Sequence, residues 1–204
     1  MSYFFPIIQL IAAIVGVLNY KKLVFYREKY FLLLLWYTFI VEAVNLILNT
    51  CFLINLEWWH GIYSVISFLF YFYWYYNVLE KKLVKRIVVF FIVLFTSITL
   101  LTYIFPKELS NQGYSFITGA ISLLVLTFFH FYQLLSSNEI LVVKNKLSFW
   151  VSTGLLLFYM GIIPLILLSK YLVIEGMSKT IILLSLNIIL YGCYIIGFLW
   201  AKKR

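Results

Sequence analysis

Seven apolar runs separated by short charged linkers constrain this chain more than any other feature of its sequence. They cover about Tyr3–Tyr20, Phe31–Ile54, Trp58–Leu79, Ile87–Phe105, Tyr114–Ser136, Leu147–Ser169 and Thr180–Ala201. A helical span of a bilayer takes roughly 20 apolar residues, and a helix satisfies its own backbone groups in lipid. The runs are too long to be strands. Seven spans would use about 140 of the 204 residues, which leaves too few for a separate folded domain. Only 11% of the residues are charged, against about a quarter in soluble domains, so there is too little polar sequence to cover a water-facing surface. The expected fold is all-α: a polytopic membrane bundle of seven transmembrane helices, with residues 1–204 forming one transmembrane domain and no soluble domain.

The linkers also set an orientation. Lys21, Lys22, Arg27 and Lys29 fill the first, Lys81, Lys82, Lys85 and Arg86 the third, Lys144 and Lys146 the fifth, and Lys202, Lys203 and Arg204 the tail. The intervening linkers hold only Lys107, Lys170 and Lys179. Basic residues collect on the cytoplasmic side, so the N-terminus is expected outside and the C-terminus in the cytoplasm. This topology also accounts for the net charge of +9, as cations that meet anionic headgroups rather than nucleic acid. No basic residue precedes the first run, so that run is expected to stay as a span rather than to be cleaved as a signal peptide.

Aromatic residues crowd the same levels. Tyr71, Phe72, Tyr73, Trp74, Tyr75 and Tyr76 form an unbroken run in the third helix, and Trp58, Trp59, Tyr103 and Tyr114 fall near the opposite boundary. Amphipathic rings gather at headgroup depth, so these residues are expected to anchor the bundle at its two interfaces.

Several chemistries are excluded by composition. The chain has no Asp and only His60 and His130, so a membrane metallohydrolase has no ligand set, and neither metal nor cofactor is expected. There is no Gly-rich phosphate loop and no His-Glu-x-x-His pair. Cys51 and Cys193 fall at different depths of different helices, so they are expected to be packing residues rather than a disulfide.

Polar side chains within the spans carry the functional information, because each needs a partner away from lipid. Glu42 lies near the middle of the second helix, and Asn45 and Asn49 follow on the same face. A carboxyl at that depth is either protonated at neutral pH or met by amides, hydroxyls or a ligand. His60, Ser64, Ser67, Tyr71 and Trp74 stripe the third helix; Thr127, His130 and Gln133 stripe the fifth; Asn187, Tyr191 and Tyr194 stripe the seventh. Gln9, Ala12, Ala13, Gly16 and Asn19 give the first helix a small-residue face suited to close packing. The stripes either converge on one cavity lined by Glu42, Asn45, Asn49, His130, Asn187 and Tyr191, or act separately as interhelical hydrogen bonds. His130 reads alternatively as a histidine satisfied by a hydroxyl near the cytoplasmic end. Pro164, after Gly161, is expected to kink the sixth helix.

The sixth helix opens Leu147-Ser148-Phe149-Trp150-Val151-Ser152-Thr153-Gly154, with Tyr159 and Gly161 following. This aromatic-Trp-x-Ser-x-Gly…Tyr pattern resembles one at the same place in small seven-span proteins of Bacteroidota-type bacteria, often encoded beside sensor histidine kinases. The resemblance implies membrane sensing or partner regulation in a bacterial inner membrane, with no catalytic residues to carry over. Retinal proteins and hormone-type receptors share only the helix count, since Leu186–Tyr194 holds no Lys and an Asp-Arg-Tyr-type triplet is absent.

The leading expectation is therefore a non-enzymatic sensor or regulatory module. Its expected partners are the lipid bilayer and a cytoplasmic or membrane protein such as a kinase or a defence nuclease, docked on Lys21, Lys22, Arg27, Lys81, Lys82, Lys85 and Arg86. A homo-oligomer is a further partner state, and nucleic acid is not expected. The alternatives are a small transporter or channel with Glu42 as its protonatable or ion-binding site, a bilayer-perturbing accessory of a bacterial defence system, and, last, a membrane enzyme with Glu42 and His130 as an acid–base pair.

Overall fold

A computed structural model describes residues 4–20, 26–52, 57–105, 113–136, 140–168 and 176–201. Seven α-helices run in chain order: α1 (Phe4–Leu18), α2 (Tyr26–Phe52), α3 (Glu57–Val78), α4 (Lys82–Ile104), α5 (Gly113–Leu135), α6 (Leu147–Leu168) and α7 (Gly176–Trp200). A short 3-10 helix, Ile140–Asn145, joins α5 to α6. No strand occurs among the described residues. Five helices, α2 and α4 to α7, are long and apolar enough to cross a membrane. The protein is an integral membrane helical bundle.

Several helices outrun their apolar runs. α2 begins at Tyr26, α4 at Lys82 and α7 at Gly176, each four or five residues before the apolar stretch. Lys and Arg are good helix formers, so a charged residue marks the end of the apolar layer and not the end of the helix.

The helices form a closed ring. Each packs on its neighbour in the chain, α7 returns against α1, and α3 also leans on α5. Glycines and alanines permit the closest approaches. The buried face of α1 is Pro6 with Gln9, Ala12, Ala13 and Gly16 of the small-residue stripe, and Asn19, the last of that stripe, is buried just beyond the helix. A side chain at Gly16 would collide with Leu32 of α2 and Phe198 of α7. α6 and α7 approach through a reciprocal pair: Gly154 faces Leu190 and Cys193, and Gly197 faces Leu147 and Trp150. Pro164 lies inside α6, which continues to Leu168 despite the missing N–H.

The aromatic run of α3 corrects the expectation of interface anchoring. Tyr71, Phe72, Trp74 and Tyr75 are buried in the bundle, and only Tyr73 and Tyr76 face outward, 54% and 40% exposed. Six consecutive aromatic residues cover the whole circumference of a helix, so they cannot all share one environment. The ones that point inward make the core: Phe31 of α2 meets Trp74, Tyr194 and Phe198 at ring-centroid distances of 6.0, 4.9 and 6.3 Å. These rings also explain why α3, although 22 residues long, is not among the five helices long and apolar enough to cross a membrane.

One end of the bundle gathers the junctions α3–α4 and α5–α6, and is called the basic end here. Lys81 Nζ sits 5.2 Å over the Tyr132 ring, and Lys85 Nζ 5.2 Å over that of Tyr76. Gln133 of α5 ties the corner by accepting from the Glu80 N–H at 3.0 Å and donating to the Val78 carbonyl at 3.4 Å. Gln133→Ala is expected to cost about 1–2 kcal/mol by leaving these groups unmatched. Amide hydrogen exchange should then rise at Glu80, with the middle of α3 unchanged.

Candidate functional site

The interior polar groups fall into two clusters at different levels. Nearer the basic end, Tyr75 of α3 lies 2.9 Å from Thr127 Oγ1 of α5 and 3.0 Å from Ser152 Oγ of α6. Ser152 Oγ is in turn 2.8 Å from His130 Nδ1 of α5. Thr127, Ser152 and His130 are all buried. Thr127 donates its only hydroxyl hydrogen to the Leu123 carbonyl at 2.7 Å, so it can only accept from Tyr75. Tyr75 then accepts from Ser152, and Ser152 accepts from His130 Nδ1–H. A single hydrogen arrangement satisfies every contact: His130 to Ser152 to Tyr75 to Thr127 to the Leu123 carbonyl.

That direction has a chemical consequence. A histidine that donates to Ser152 cannot also withdraw its proton, so the short Ser152–His130 contact is not an activated nucleophile. It is a clasp between α3, α5 and α6. A second hydroxyl pair, Tyr71 and Tyr194 at 3.0 Å, links α3 to α7 across the interior.

The second cluster brings together α1, α2, α3 and α7. Tyr191 of α7 lies beside Thr38 of α2 and Gln9 of α1. Thr38 donates to the Leu35 carbonyl at 2.9 Å. Gln9 Oε1 is buried without a hydrogen-bond partner among the described residues, as are Ser67 Oγ and Trp74 Nε1. Glu42 lies half-buried one helical turn beyond Thr38, within electrostatic reach of the Tyr63 and Tyr191 hydroxyls. Tyr63 stacks on Tyr37 at 5.9 Å, and Tyr191 meets Tyr194 edge-on at 5.6 Å.

The residues expected to share one cavity are thus divided. Glu42 and Tyr191 come together, and His130 belongs to the other cluster. Asn45 is half-buried on the Glu42 helix, and Asn49 is exposed. Asn187 Nδ2 turns back to the Leu183 carbonyl of its own helix at 2.8 Å, bridging no helices through that bond. Of the expected docking residues, Lys81, Lys82 and Arg86 are exposed and Lys85 is half-buried. Lys21 and Lys22 lie outside the described residues, as does the side chain of Arg27. Side chains of Cys51, Trp58, Trp59 and His60 also lie outside them.

Gln9, Thr38, Tyr63 and Ser152 are residues that sequence reasoning did not assign to a site. The stripe of α1 held Gln9, but nothing local in the sequence brings it beside Tyr191 of α7. No group of His, Cys and Glu that could hold a metal ion is present among the described residues. No protein-family model, curated protein or solved structure matches the chain.

Proposed function

We propose that this chain is a seven-span bundle of a bacterial cytoplasmic membrane, with the N-terminus outside and the C-terminus in the cytoplasm. It acts without chemistry of its own, as a sensing or regulatory module for a separate protein. In this reading the basic end is the cytoplasmic face, where Lys81, Lys82, Lys85 and Arg86 offer cations to a partner. The Glu42 cluster is the sensing element.

A blind interior is the observation that supports this most. Around a half-buried Glu42 the interior is polar, with Gln9, Thr38 and Tyr191 buried beside it, but towards the basic end it meets a layer of Phe31, Trp74, Tyr194 and Phe198, none more than 2% exposed. The hydroxyl chain in that region ends on a helix carbonyl rather than crossing the bundle. Such an interior suits holding a ligand better than passing one. It also couples four helices, because Tyr191 touches α1 and α2 while Tyr71 and Tyr194 join α3 to α7. A change at Glu42 therefore bears on helices that reach the basic end, which is what a two-state regulator requires.

Affinity purification from the native membrane in mild detergent, with mass spectrometry, tests the reading. A stoichiometric protein partner is expected, and reversing the charges of Lys81, Lys82, Lys85 and Arg86 to Glu should release it. A preparation without partner, or one that turns over substrate unaided, would overturn the assignment.

A further inference from the structure

The α3–α4 junction sets Lys81, Lys82, Lys85 and Arg86 within six residues, against the single carboxylate of Glu80. Two of these cations lie against aromatic rings: Lys81 Nζ is 5.2 Å from the centre of the Tyr132 ring of α5, and Lys85 Nζ 5.2 Å from that of the Tyr76 ring of α3. Both rings stand in the last turn of their helices and face out of the bundle. Outward tyrosines at the helix ends of a membrane bundle sit at headgroup depth, so each ring holds an ammonium at the boundary between headgroups and acyl chains. The backbone fixes this placement. Gln133, the neighbour of Tyr132, accepts from the Glu80 N–H at 3.0 Å and so ties the residue before Lys81 to α5. The Lys85 N–H donates to the Lys81 carbonyl at 3.1 Å, which places the two lysines one turn apart. Phe128 shares the outward face of α5 with Tyr132, one turn towards the middle of the helix, and is also exposed. An apolar strip therefore runs along α5 away from the Lys81 ammonium.

We propose that this corner is a binding site for an anionic phospholipid. The lipid phosphate meets the Lys81 ammonium, Lys85 adds charge from the next turn, and an acyl chain lies along Tyr132 and Phe128. A zwitterionic lipid brings its own ammonium to a corner that is already cationic. Inorganic phosphate has nothing to lay on the apolar strip. An acidic soluble protein has access to Lys82 and Arg86, which are exposed one residue further round α4, but the tyrosine rings stand among lipid. The inference goes beyond the regulatory reading and does not rest on it, since it needs only the membrane bundle and its basic end.

The test uses the full chain in a non-ionic detergent. It is mixed with equal amounts of dioctanoyl phosphatidylglycerol and dioctanoyl phosphatidylcholine, and retained lipid is measured by native mass spectrometry. The phosphatidylglycerol should be preferred by about tenfold or more. Lys81→Gln combined with Lys85→Gln should bring the two lipids close to parity. Lys82→Gln combined with Arg86→Gln removes the same charge and should lower the preference by no more than about threefold. Tyr132→Leu keeps the apolar area and all four cations, and should lower it by about threefold through loss of the ring face. Each variant is first checked for a monodisperse elution profile. Equal retention of the two lipids by the parent chain, equal losses in the two double variants, or displacement of the phosphatidylglycerol by excess inorganic phosphate would each overturn the proposal. No lipid preference, together with loss of a protein partner from native-membrane preparations of the Lys81→Gln, Lys85→Gln variant, would overturn it as well and assign the corner to protein docking.

Discussion

Leucine at Gly197 is expected to be among the most damaging single substitutions in the bundle. A β-carbon there would stand 2.8 Å from Trp150 Cβ and 2.9 Å from Leu147 Cδ1. The first of these atoms is fixed to the α6 backbone and cannot rotate aside, so the two helices must separate. Overpacking costs about 1–3 kcal/mol in general, and a leucine at a backbone-to-backbone contact belongs at the upper end or beyond. Gly154 is the reciprocal position, where an added β-carbon would lie 3.1 Å from the Leu190 carbonyl oxygen and 3.1 Å from Cys193 Cβ. Without water to drive association, membrane helices depend on such close packing. Gly192 provides the control: nothing lies within 4 Å of a β-carbon added there. In a Cys51→Ser background, a thiol-reactive dye would report the release of Cys193 on heating. Gly197→Leu and Gly154→Leu should both release it at markedly lower temperature, and Gly192→Leu close to the parent.

Removing one oxygen from Tyr75 is expected to have the second large effect. The phenol is the middle of the chain from His130 to Leu123, so Tyr75→Phe strands the Ser152 hydrogen and the Thr127 acceptor together. Each stranded buried group costs about 1–3 kcal/mol. Thermal unfolding in detergent should show this loss for Tyr75→Phe and almost none for the outward-facing Tyr76→Phe. Pairing Tyr75→Phe with Thr127→Val should recover part of the loss, because the second change removes a group the first had stranded. Strict additivity would mean that the two hydroxyls do not interact.

The sequence made the helices legible because lipid imposes length and apolarity on every span. The seven runs became seven helices, and the small-residue face of α1 became its buried face. What local pattern could not give was the direction of residues in a stretch that is uniformly aromatic. The run from Tyr71 to Tyr76 has no polar face to break its symmetry, and its inward rings find partners on α2, α5, α6 and α7. The same limit separated His130 from Glu42. Both are polar residues within spans, and only the ring arrangement shows that His130 pairs with Ser152 on the next helix while Glu42 faces Tyr191 of the last. Gln133 was visible as a polar residue one turn beyond His130, but its service to the α3–α4 corner depends on two helices joined far earlier in the chain.

That the interior is blind towards the basic end is the claim on which the account turns, and ion flux tests it most directly. Purified protein in liposomes carrying a membrane potential and a pH-sensitive dye should conduct no more protons, sodium or potassium than protein-free liposomes, and Glu42→Gln should leave the trace unchanged. A flux present with the parent protein and abolished by Glu42→Gln would contradict the account and make the Glu42 cluster part of a conduit.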